Sequence, residues 1–323
     1  LAKRGVDVLG IEQYDIPHTN GSSHGDTRIF RLTQPEHPEY VPLAQRAGEL
    51  WHELEATSGR TILTETGSIH AGPAEGAKVA DALGSCEENG LEHELLTGAE
   101  INERFPGYEL PENHRGVYQP DGGFLRCERA VSTHVNQAHE HGATVHGREQ
   151  VHDLTIRENG VAVRTGRGNY EADNLVVTAG AWAGEQLDLL SDALVPQRRV
   201  MAWLHPETPA QFQPSNFPVF SVDVPEGSFY GFPVAERPGF KFGKTPVDPD
   251  PIDPTDWQTE PTREDEERLR QLTETCFPDG DGPTMRLATC IVTNSLDGHF
   301  YLDTHPEYPD VFIAAGFSGH GFK

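Results

Sequence analysis

The sequence predicts an α/β fold in which a buried parallel sheet is joined to a second, antiparallel sheet. Two apolar segments, residues 6–12 and 175–180, lack the alternation of apolar and polar side chains that marks a half-exposed strand. Strands that are covered on both faces of a parallel sheet lose this alternation. Between residues 195 and 244, extended segments are instead divided by proline and glycine, which is typical of an antiparallel sheet.

The first predicted strand, residues 6–12, follows a short helix end that Gly5 closes, and it ends in Glu12. In a dinucleotide-binding unit, an acid at the end of the second strand binds the ribose hydroxyls. Glu12 is placed for that role, and the glycine fingerprint would then lie before Leu1. The alternative is an ordinary parallel strand that ends in a carboxylate.

A stretch rich in glycine and arginine comes next, Gly21-Ser22-Ser23-His24-Gly25-Asp26-Thr27-Arg28-Ile29-Phe30-Arg31. If the chain is helical from Thr27 onward, Arg28 and Arg31 project from one helix face and could bind an anion. The alternative is an arginine-rich surface turn.

The middle of the chain alternates helices and strands. Helical spacing of apolar residues predicts helices over 40–54, 74–88 and 127–141, the last ending at Gly142. Strands are expected over 62–72 and over 116–125, the second interrupted by a turn at Pro120-Asp121-Gly122. A hairpin over 144–165 turns at Asn159-Gly160.

The second half continues with a predicted helix over 181–190 and another that Thr262 caps and that runs through Leu269 and Leu272. A buried strand over 311–316 then enters a glycine loop that contains Gly316, Gly319 and Gly321. Such a loop presents backbone N–H groups to an anion or a ring edge, and Lys323 adds a positive charge there.

Composition and charge restrict the possible partners. With 323 residues, of which 36% are hydrophobic, the chain can bury a large core. Its net charge of −26 argues against nucleic acid or an anionic membrane surface as a partner. No apolar run approaches the roughly 18 residues of a membrane span.

The four cysteines form no Cys-x-x-Cys pair, so neither a zinc site nor a disulfide framework is expected, and a reducing cytoplasm fits best. Cys290 lies in an apolar segment, where a buried core thiol is the simplest interpretation. The closest histidine cluster, His139-Glu140-His141, lies on a predicted helix where residues two apart do not share a face, so no metal site is predicted.

Five motifs together resemble the monomeric sarcosine oxidase and N-methyltryptophan oxidase family, and their order and spacing agree along essentially the whole chain. The motifs are His24-Gly25-Asp26-Thr27-Arg28, Tyr230-Gly231-Phe232-Pro233, Lys241-Phe242-Gly243, Cys290, and Gly316-Phe317-Ser318-Gly319-His320-Gly321-Phe322-Lys323. The resemblance implies an FAD-binding Rossmann-like domain with an antiparallel substrate domain, of the D-amino acid oxidase type.

The activity that this resemblance implies is oxidation of the N-methyl group of a secondary amino acid by FAD and dioxygen. By position, Cys290 matches the cysteine that carries the flavin covalently, and Lys241 matches the lysine that activates dioxygen. Arg31 and Lys323 match the pair that holds the substrate carboxylate. Residues near the flavin or in the pocket wall are matched by His24, Arg28 and Tyr230.

Three positions depart from the sarcosine oxidase pattern, and all three shape the pocket: Gln34, Thr245 and Val292. The amine that is oxidised is therefore left open, and the Lys241-Phe242-Gly243-Lys244 run leans toward the N-methyltryptophan branch. The alternatives are a related glycine oxidase or dimethylglycine-type enzyme, and a flavin-binding protein without turnover.

Pattern changes and the resemblance together predict how the chain divides. Residues 1–62, 127–195 and 297–323 are expected to form the FAD-binding domain, and residues 63–126 and 196–296 the substrate domain. We expect a monomer.

The acidic surface generates a first prediction, because lysine is confined to five positions while Asp and Glu number 51. Counterions would screen the self-repulsion of such a surface, so we expect a protein that works in high salt. Dialysis to low salt should lower the helical circular-dichroism signal, and restoring the salt should recover it. An unchanged signal at low salt would contradict this expectation.

Overall fold

The computed structural model describes residues 1–158, 160–245 and 250–323. Six α-helices lie in these ranges: α1 (Tyr40–Ser58), α2 (Ala77–Asn89), α3 (Gly98–Arg104), α4 (Cys127–Glu140), α5 (Ala183–Gln186) and α6 (Arg263–Cys276). Short 3-10 helices lie at Ala2–Arg4, Gly180–Trp182, Asp188–Leu190, Pro209–Phe212 and Pro278–Gly280.

Nineteen strands lie in the same ranges. In chain order they are β1 (Leu9–Ile11), β2 (Thr27–Phe30), β3 (Leu63–Glu65), β4 (Ser68–Pro73), β5 (Glu94–Thr97), β6 (His114–Gln119), β7 (Gly123–Arg126), β8 (Thr144–His146), β9 (Val151–Arg157), β10 (Gly160–Thr165), β11 (Asn169–Ala172), β12 (Leu175–Val177), β13 (Leu194–Leu204), β14 (Val219–Val224), β15 (Gly227–Phe232), β16 (Phe240–Thr245), β17 (Thr284–Ser295), β18 (Tyr301–Thr304) and β19 (Val311–Ala315).

An eight-stranded sheet dominates the fold, with the order β17-β13-β16-β15-β14-β4-β6-β5. Its strands pair antiparallel except for β4 and β14, which run parallel. Separate parallel pairings join β1 to β8 and β12 to β19. The predicted combination of parallel strands with a larger, mainly antiparallel sheet is therefore confirmed. The expected burial of the first and third of these parallel strands is wrong, because Leu9 on β1 and Val176 on β12 are 38% and 43% exposed.

The two faces of the eight-stranded sheet differ in chemistry. Phe242, Phe220 and Ile69 lie on one face, because Gly231 pairs with both phenylalanines and Phe220 pairs with Ile69. All three are buried in the main hydrophobic cluster, which also takes in Leu272 of α6. The opposite face carries the candidate active site.

Two predicted elements form for the local reasons that the sequence indicates. Helix α6 begins with a capping box in which the Thr262 hydroxyl accepts from the Asp265 N–H and the Asp265 carboxylate accepts from the Thr262 N–H. The predicted hairpin forms between β9 and β10, where Ile156 pairs with Val161, but it begins at Val151. The residues expected to start it, 144–146, form β8, which pairs with β1 instead. Asn159 of its predicted turn lies outside the described residues.

Other predictions about local structure are wrong. Thr27–Phe30 is a strand, not the start of a helix, because it pairs with β7. Residues 62–72 form two strands, β3 and β4, separated by Gly67, whose φ of 75° lies in the left-handed region. The helix expected over 181–190 consists of α5 between two short 3-10 helices.

The predicted division into two domains stays a prediction. Strands β4–β6 and β14–β16 of the eight-stranded sheet come from residues 63–126 and 196–296. The three-stranded sheet β2-β7-β3 joins chain segments on both sides of the expected boundary near residue 62. None of the helices in the described part of the chain is long and apolar enough to cross a membrane.

The phenylalanine cluster behind the sheet generates a stability prediction. Phe220 is 1% exposed and its ring packs against those of Tyr108, Phe217, Phe240 and Phe277. Replacing Phe220 by alanine should lower the free energy of unfolding by about 3–5 kcal/mol, because it leaves a cavity. Urea denaturation measures this loss.

The matched control is Phe312→Ala on β19, where the phenylalanine is 41% exposed. This change should cost under about 1 kcal/mol. Equal losses in the two variants would show that the cluster behind the sheet does not dominate stability.

Candidate active site

The face of the eight-stranded sheet opposite the phenylalanine cluster, which we call the open face, carries Lys241, Tyr230 and Cys290. Lys241 pairs with Trp203 and Phe232, and Tyr230 lies two residues before Phe232 on β15. Because side chains two apart on a strand share a face, Lys241 and Tyr230 point to the same side. Gly243 pairs with both Tyr230 and Met201, so Met201 lies on this side as well. Cys290 pairs with Arg199, which is two residues before Met201, and therefore Cys290 shares this side.

The Lys241 ammonium group is fully buried against the turn that precedes β2. Its Nζ donates to the Gly25 carbonyl at 2.7 Å, to the Thr27 carbonyl at 2.7 Å and to Thr27 Oγ1 at 3.1 Å. Burial, with the nearby charge of Arg28, lowers the pKa of Lys241 to about 7. The side chain therefore changes charge near neutral pH and lies directly beside the His24-Gly25-Asp26-Thr27-Arg28 motif.

A carboxylate from another element holds that motif in shape. Glu128 on α4 accepts from the Gly25 N–H at 2.7 Å and from the Asp26 N–H at 3.2 Å. Gly25 and Asp26 have φ values of 90° and 70°, a region that glycine tolerates and that costs energy for Asp26. Glu128 therefore stabilises a strained turn whose carbonyl group binds Lys241.

His24 lies within this turn and has no protein partner among the described residues. Both of its ring nitrogens are buried without a hydrogen bond, and the side chain is 1% exposed. Burial lowers the pKa of His24 to about 3, helped by Arg28 and Lys241, so the imidazole is neutral. A buried neutral imidazole with both nitrogens unpaired indicates that a bound group completes this site.

Arg28 and Arg31 serve different parts of the site, contrary to the helical arrangement that the spacing predicted. Arg28 donates to the Ser22 carbonyl at 2.5 Å and to the Thr27 carbonyl at 2.9 Å. Arg31 instead lies just beyond β2 and donates to Glu36, with its Nη1 3.3 Å from His70 Nε2. In a strand, residues three apart point to opposite faces, which separates the two guanidinium groups.

Arg31 and Lys323 form a cluster of charge with Glu36, in which Arg31 is buried and the other two side chains are partly buried. Burial, with the charge of Arg31, lowers the pKa of Lys323 to about 7, and Glu36 opposes this shift. Although burial alone would raise it, the pKa of Glu36 is held well below its usual range by Arg31 and Lys323. Two cations and one carboxylate leave a net positive charge, which suits one further carboxylate.

Cys290 lies on β17 in a small cluster with Met201, Trp203 and Ala288, and it is 2% exposed. Burial raises the pKa of its thiol, while the charges of Arg28, Lys241 and Arg199 act in the opposite direction. The thiol is thus buried in an apolar cluster but faces three cations that favour its thiolate. For Tyr230, burial raises the pKa to about 12, so its phenol stays protonated.

Glu12 follows β1, as expected, and is engaged by its own loop. Its carboxylate accepts from the Tyr14 N–H at 2.9 Å and lies 3.6 Å from His18 Nε2. Burial would raise the pKa of Glu12, but the hydrogen bonds from His18 and Tyr14 lower it overall. The carboxylate is therefore ionised and able to accept further hydrogen bonds.

The glycine loop after β19 differs in part from its predicted role. Gly316 and Gly319 have φ values of 64° and 81°, so both positions use the freedom of glycine. At Gly321, a Cβ atom would lie 2.4 Å from the Phe317 side chain. The Ser318 N–H donates to Thr293 and the His320 N–H to Phe317, so these two amides are not open to a ligand.

The three positions that depart from the expected pattern all lie near this face. Gln34 is fully buried, its Nε2 donates to the Arg31 carbonyl at 2.7 Å, and its Oε1 has no partner in the described structure. Thr245 pairs with Ser228 at the end of β16. Val292 lies on β17, and its Cγ1 is 3.5 Å from the point that a Cβ atom would occupy if Gly319 carried a side chain.

Sequence reasoning missed Glu36, Glu128 and His70. Each lies far along the chain from at least one of its partners, so no local spacing marks it. One signal was available, because lysine is scarce: of five lysines, Lys78, Lys241 and Lys323 lie on or beside the open sheet face.

These residues fit FAD by the chemistry they offer. The flavin ring could be bound by the unpaired nitrogens of His24 and the guanidinium of Arg28. The ribose could be bound by Glu12, the acid that follows the parallel strand β1. No group of three or more His, Cys, Asp or Glu side chains in the described ranges is arranged to hold a metal ion.

The whole chain matches a known family. All 323 residues match the family described as FAD dependent oxidoreductase. The monomeric sarcosine oxidase of Bacillus sp. strain B-0618 is 42% identical over 330 positions, which cover 100% of this chain and 84% of the relative. The N-methyl-L-tryptophan oxidase of Citrobacter koseri is 34% identical and covers 99% of this chain and 86% of the relative.

Solved structures show the same fold. NikD, described as an unusual amino acid oxidase essential for nikkomycin biosynthesis, superposes with a TM-score of 0.85 at 25% identity. That match covers 98% of this chain and 84% of NikD. The glycine oxidase of Geobacillus kaustophilus superposes with a TM-score of 0.81 at 22% identity, covering 99% of this chain and 85% of that structure, and is similar in fold.

Proposed function

Because this chain belongs to the FAD dependent oxidoreductase family, we propose that it is an oxidase that removes the N-methyl group of a secondary amino acid. The observation that carries the proposal is the pairing of a carboxylate-binding cluster, Arg31 and Lys323, with a buried lysine, Lys241, beside one open sheet face. The full-length similarity to sarcosine and N-methyltryptophan oxidases supports the same reaction.

In the proposed reaction a hydride leaves the N-methyl carbon, and water adds to the resulting iminium with release of a proton. The carbinolamine then releases formaldehyde and the demethylated amino acid. FAD, when bound, would accept the hydride and pass its two electrons, with two protons, to dioxygen, which becomes hydrogen peroxide. The products are the amino acid, formaldehyde and peroxide.

Arg31 and Lys323 bind the substrate carboxylate in this proposal. A guanidinium fork can donate two parallel hydrogen bonds to a carboxylate, and a second cation fixes the position of that carboxylate. Glu36 holds Arg31 by an ion pair while the carboxylate is absent. Holding the substrate by one end places its N-methyl group over a fixed point, which supplies much of the rate enhancement.

Lys241 stabilises the negative charge that develops on dioxygen. Its three oxygen partners, the Gly25 and Thr27 carbonyls and Thr27 Oγ1, hold the ammonium in place before the charge appears. A preorganised cation of this kind needs no reorganisation during the reaction. Glu128 acts indirectly, because it holds the turn that carries the Gly25 carbonyl.

Cys290 would hold the cofactor covalently through its thiolate, which Arg28 and Arg199 favour. His24, Arg28 and Tyr230 would line the flavin and the pocket. Glu12 would bind the ribose, and Gly316, Gly319 and Gly321 would allow the backbone to approach closely. Residues 1–62, 127–195 and 297–323 would form the FAD-binding domain of a cytoplasmic monomer.

Turnover by the purified protein tests the proposed function. N-methyl amino acids should bleach the bound flavin under anaerobic conditions and release peroxide and formaldehyde in air. Lys241→Met should slow reoxidation of the reduced enzyme by dioxygen about a hundredfold or more, since it removes a preorganised charge. Because the pKa of Lys241 is about 7, the wild-type reoxidation rate should fall as the pH rises through this value.

Lys244→Met is the matched control, because Lys244 pairs with buried Phe229 on the opposite face and donates to Gln271 at 3.2 Å. Its reoxidation rate should match that of the wild type. Bleaching without peroxide would indicate a dehydrogenase, and a flavin that no N-methyl amino acid bleaches would indicate a flavin-binding protein without this activity.

The mode of flavin attachment has its own test. After acid precipitation of the holoenzyme, the yellow colour and an FAD-sized mass increase should stay with the peptide that contains Cys290. Cys290→Ser should release the flavin into the supernatant, whereas Cys127→Ser should retain it on the protein. Free flavin in the wild-type supernatant would show that Cys290 is a core thiol.

A further inference from the structure

A row of side chains extends the proposed substrate site across three strands of the large sheet. Tyr230 on β15 pairs with Ser221 on β14, which pairs with His70 on β4. Directly paired residues share a sheet face and lie about 5 Å apart. The row therefore runs from the wall at Tyr230 to His70, which contacts Arg31 of the carboxylate-binding cluster.

Lys78 reaches this row from α2, which packs over the same face. Its Nζ donates to Ser221 Oγ at 2.9 Å and to Ser228 Oγ, and it lies 2.6 Å from Asp223 Oδ1. The Lys78 side chain is 16% exposed. A lysine, two hydroxyls and a carboxylate thus line the part of the face next to Tyr230, where an apolar amino-acid side chain would have no partner.

Part of this row keeps some solvent exposure, although α2 packs over the same face. Ser221, Ser228 and Tyr230 are partly exposed, whereas Val222 and Phe229, which alternate with them, are buried on the other face. Ser221, Ser228 and Tyr230 are therefore accessible from the side of the sheet that carries Lys241.

His70 has hydrogen-bonding capacity left over. Burial, with the charges of Arg31 and Lys78, holds the pKa of His70 well below its usual range, so the ring is neutral. A neutral imidazole has one acceptor nitrogen and one N–H. Arg31 can donate only to the acceptor nitrogen, and the N–H has no acceptor in the described residues although the side chain is 1% exposed.

The charges around this row decide what kind of group fits. The single net positive charge of Arg31, Lys323 and Glu36 is matched by the substrate's α-carboxylate. Lys78 is already paired with Asp223. A second carboxylate on the substrate would remain unneutralised here, whereas a neutral hydrogen-bonding group could pair with the His70 N–H and the Ser221 hydroxyl. The three donors of Lys78 already point at Ser221, Ser228 and Asp223, so Lys78 holds the serine hydroxyls in place.

We infer that Lys78, Ser221, Ser228 and His70 form a second subsite, which binds a neutral carboxamide or hydroxyl group on the side chain of the N-methyl amino acid. The inference rests on the proposed function, because it extends that same site. It identifies the preferred substrates as N-methyl amino acids with polar, uncharged side chains.

The test compares pairs of molecules that have the same shape. N-methyl-L-glutamine carries a carboxamide where N-methyl-L-homoleucine carries an isopropyl group. The same exchange separates 4-carbamoylbutanoate from 5-methylhexanoate, two carboxylates that lack the amine and therefore bind without being oxidised. Holoenzyme kcat/KM should favour the glutamine derivative at least about tenfold. Calorimetry should show tighter binding of 4-carbamoylbutanoate by a similar factor.

Variants assign the preference to these residues. Ser221→Val keeps the Lys78–Asp223 ion pair and should lower the preference for the carboxamide by about threefold or more, and Lys78→Met should lower it further. Lys244→Met, on the opposite face, should leave the preference at the wild-type value. Equal kcat/KM values for the glutamine and homoleucine derivatives, or a preference for N-methyl-L-glutamate, would overturn the inference.

The two proposals fail in different ways. If N-methyl amino acids bleach the flavin but the polar member of each pair is not preferred, the subsite is wrong and the oxidase function stands. If none of them bleaches the flavin, the oxidase function is wrong, and the binding of the two carboxylates still decides whether the polar subsite exists.

Discussion

The buried ammonium of Lys241 and its three oxygen acceptors connect the two parts of the site. Lys241 belongs to the eight-stranded sheet, whereas Gly25 lies in the turn before β2 and Thr27 is the first residue of β2. A buried charge without partners would be costly, so the turn has to present its carbonyl groups to the sheet. That requirement fixes His24 beside Lys241, and the rest of the site is arranged around this contact.

The same contact explains why some of the structure could be predicted and some could not. Helix α6 and the β9–β10 hairpin follow from capping and turn residues close to them in the chain. Thr27–Phe30 was predicted wrongly, because its partner β7 lies almost a hundred residues away and sets its conformation. Strand pairing over such a distance leaves no local periodicity in the sequence.

The candidate site shows a similar division. Residues within motifs, such as Lys241 and Cys290, were identified through resemblance to a family, whereas His70 and Glu36 emerge from strand register and loop path. The role of Lys78 in the site is evident only from the structure, in which α2 brings its ammonium group to Ser221. Charge clusters built from separate elements are therefore the part of a site that a single sequence reveals least.

The alternation of the large sheet also has a consequence for how such an enzyme can diversify. On β14, Ser221 and Asp223 face the open side, while Phe220 and Val222 are packed in the core. Selection for a new amine can therefore act on every second position of one strand. The intervening positions keep the protein folded, so the substrate preference can change during evolution while the fold is preserved.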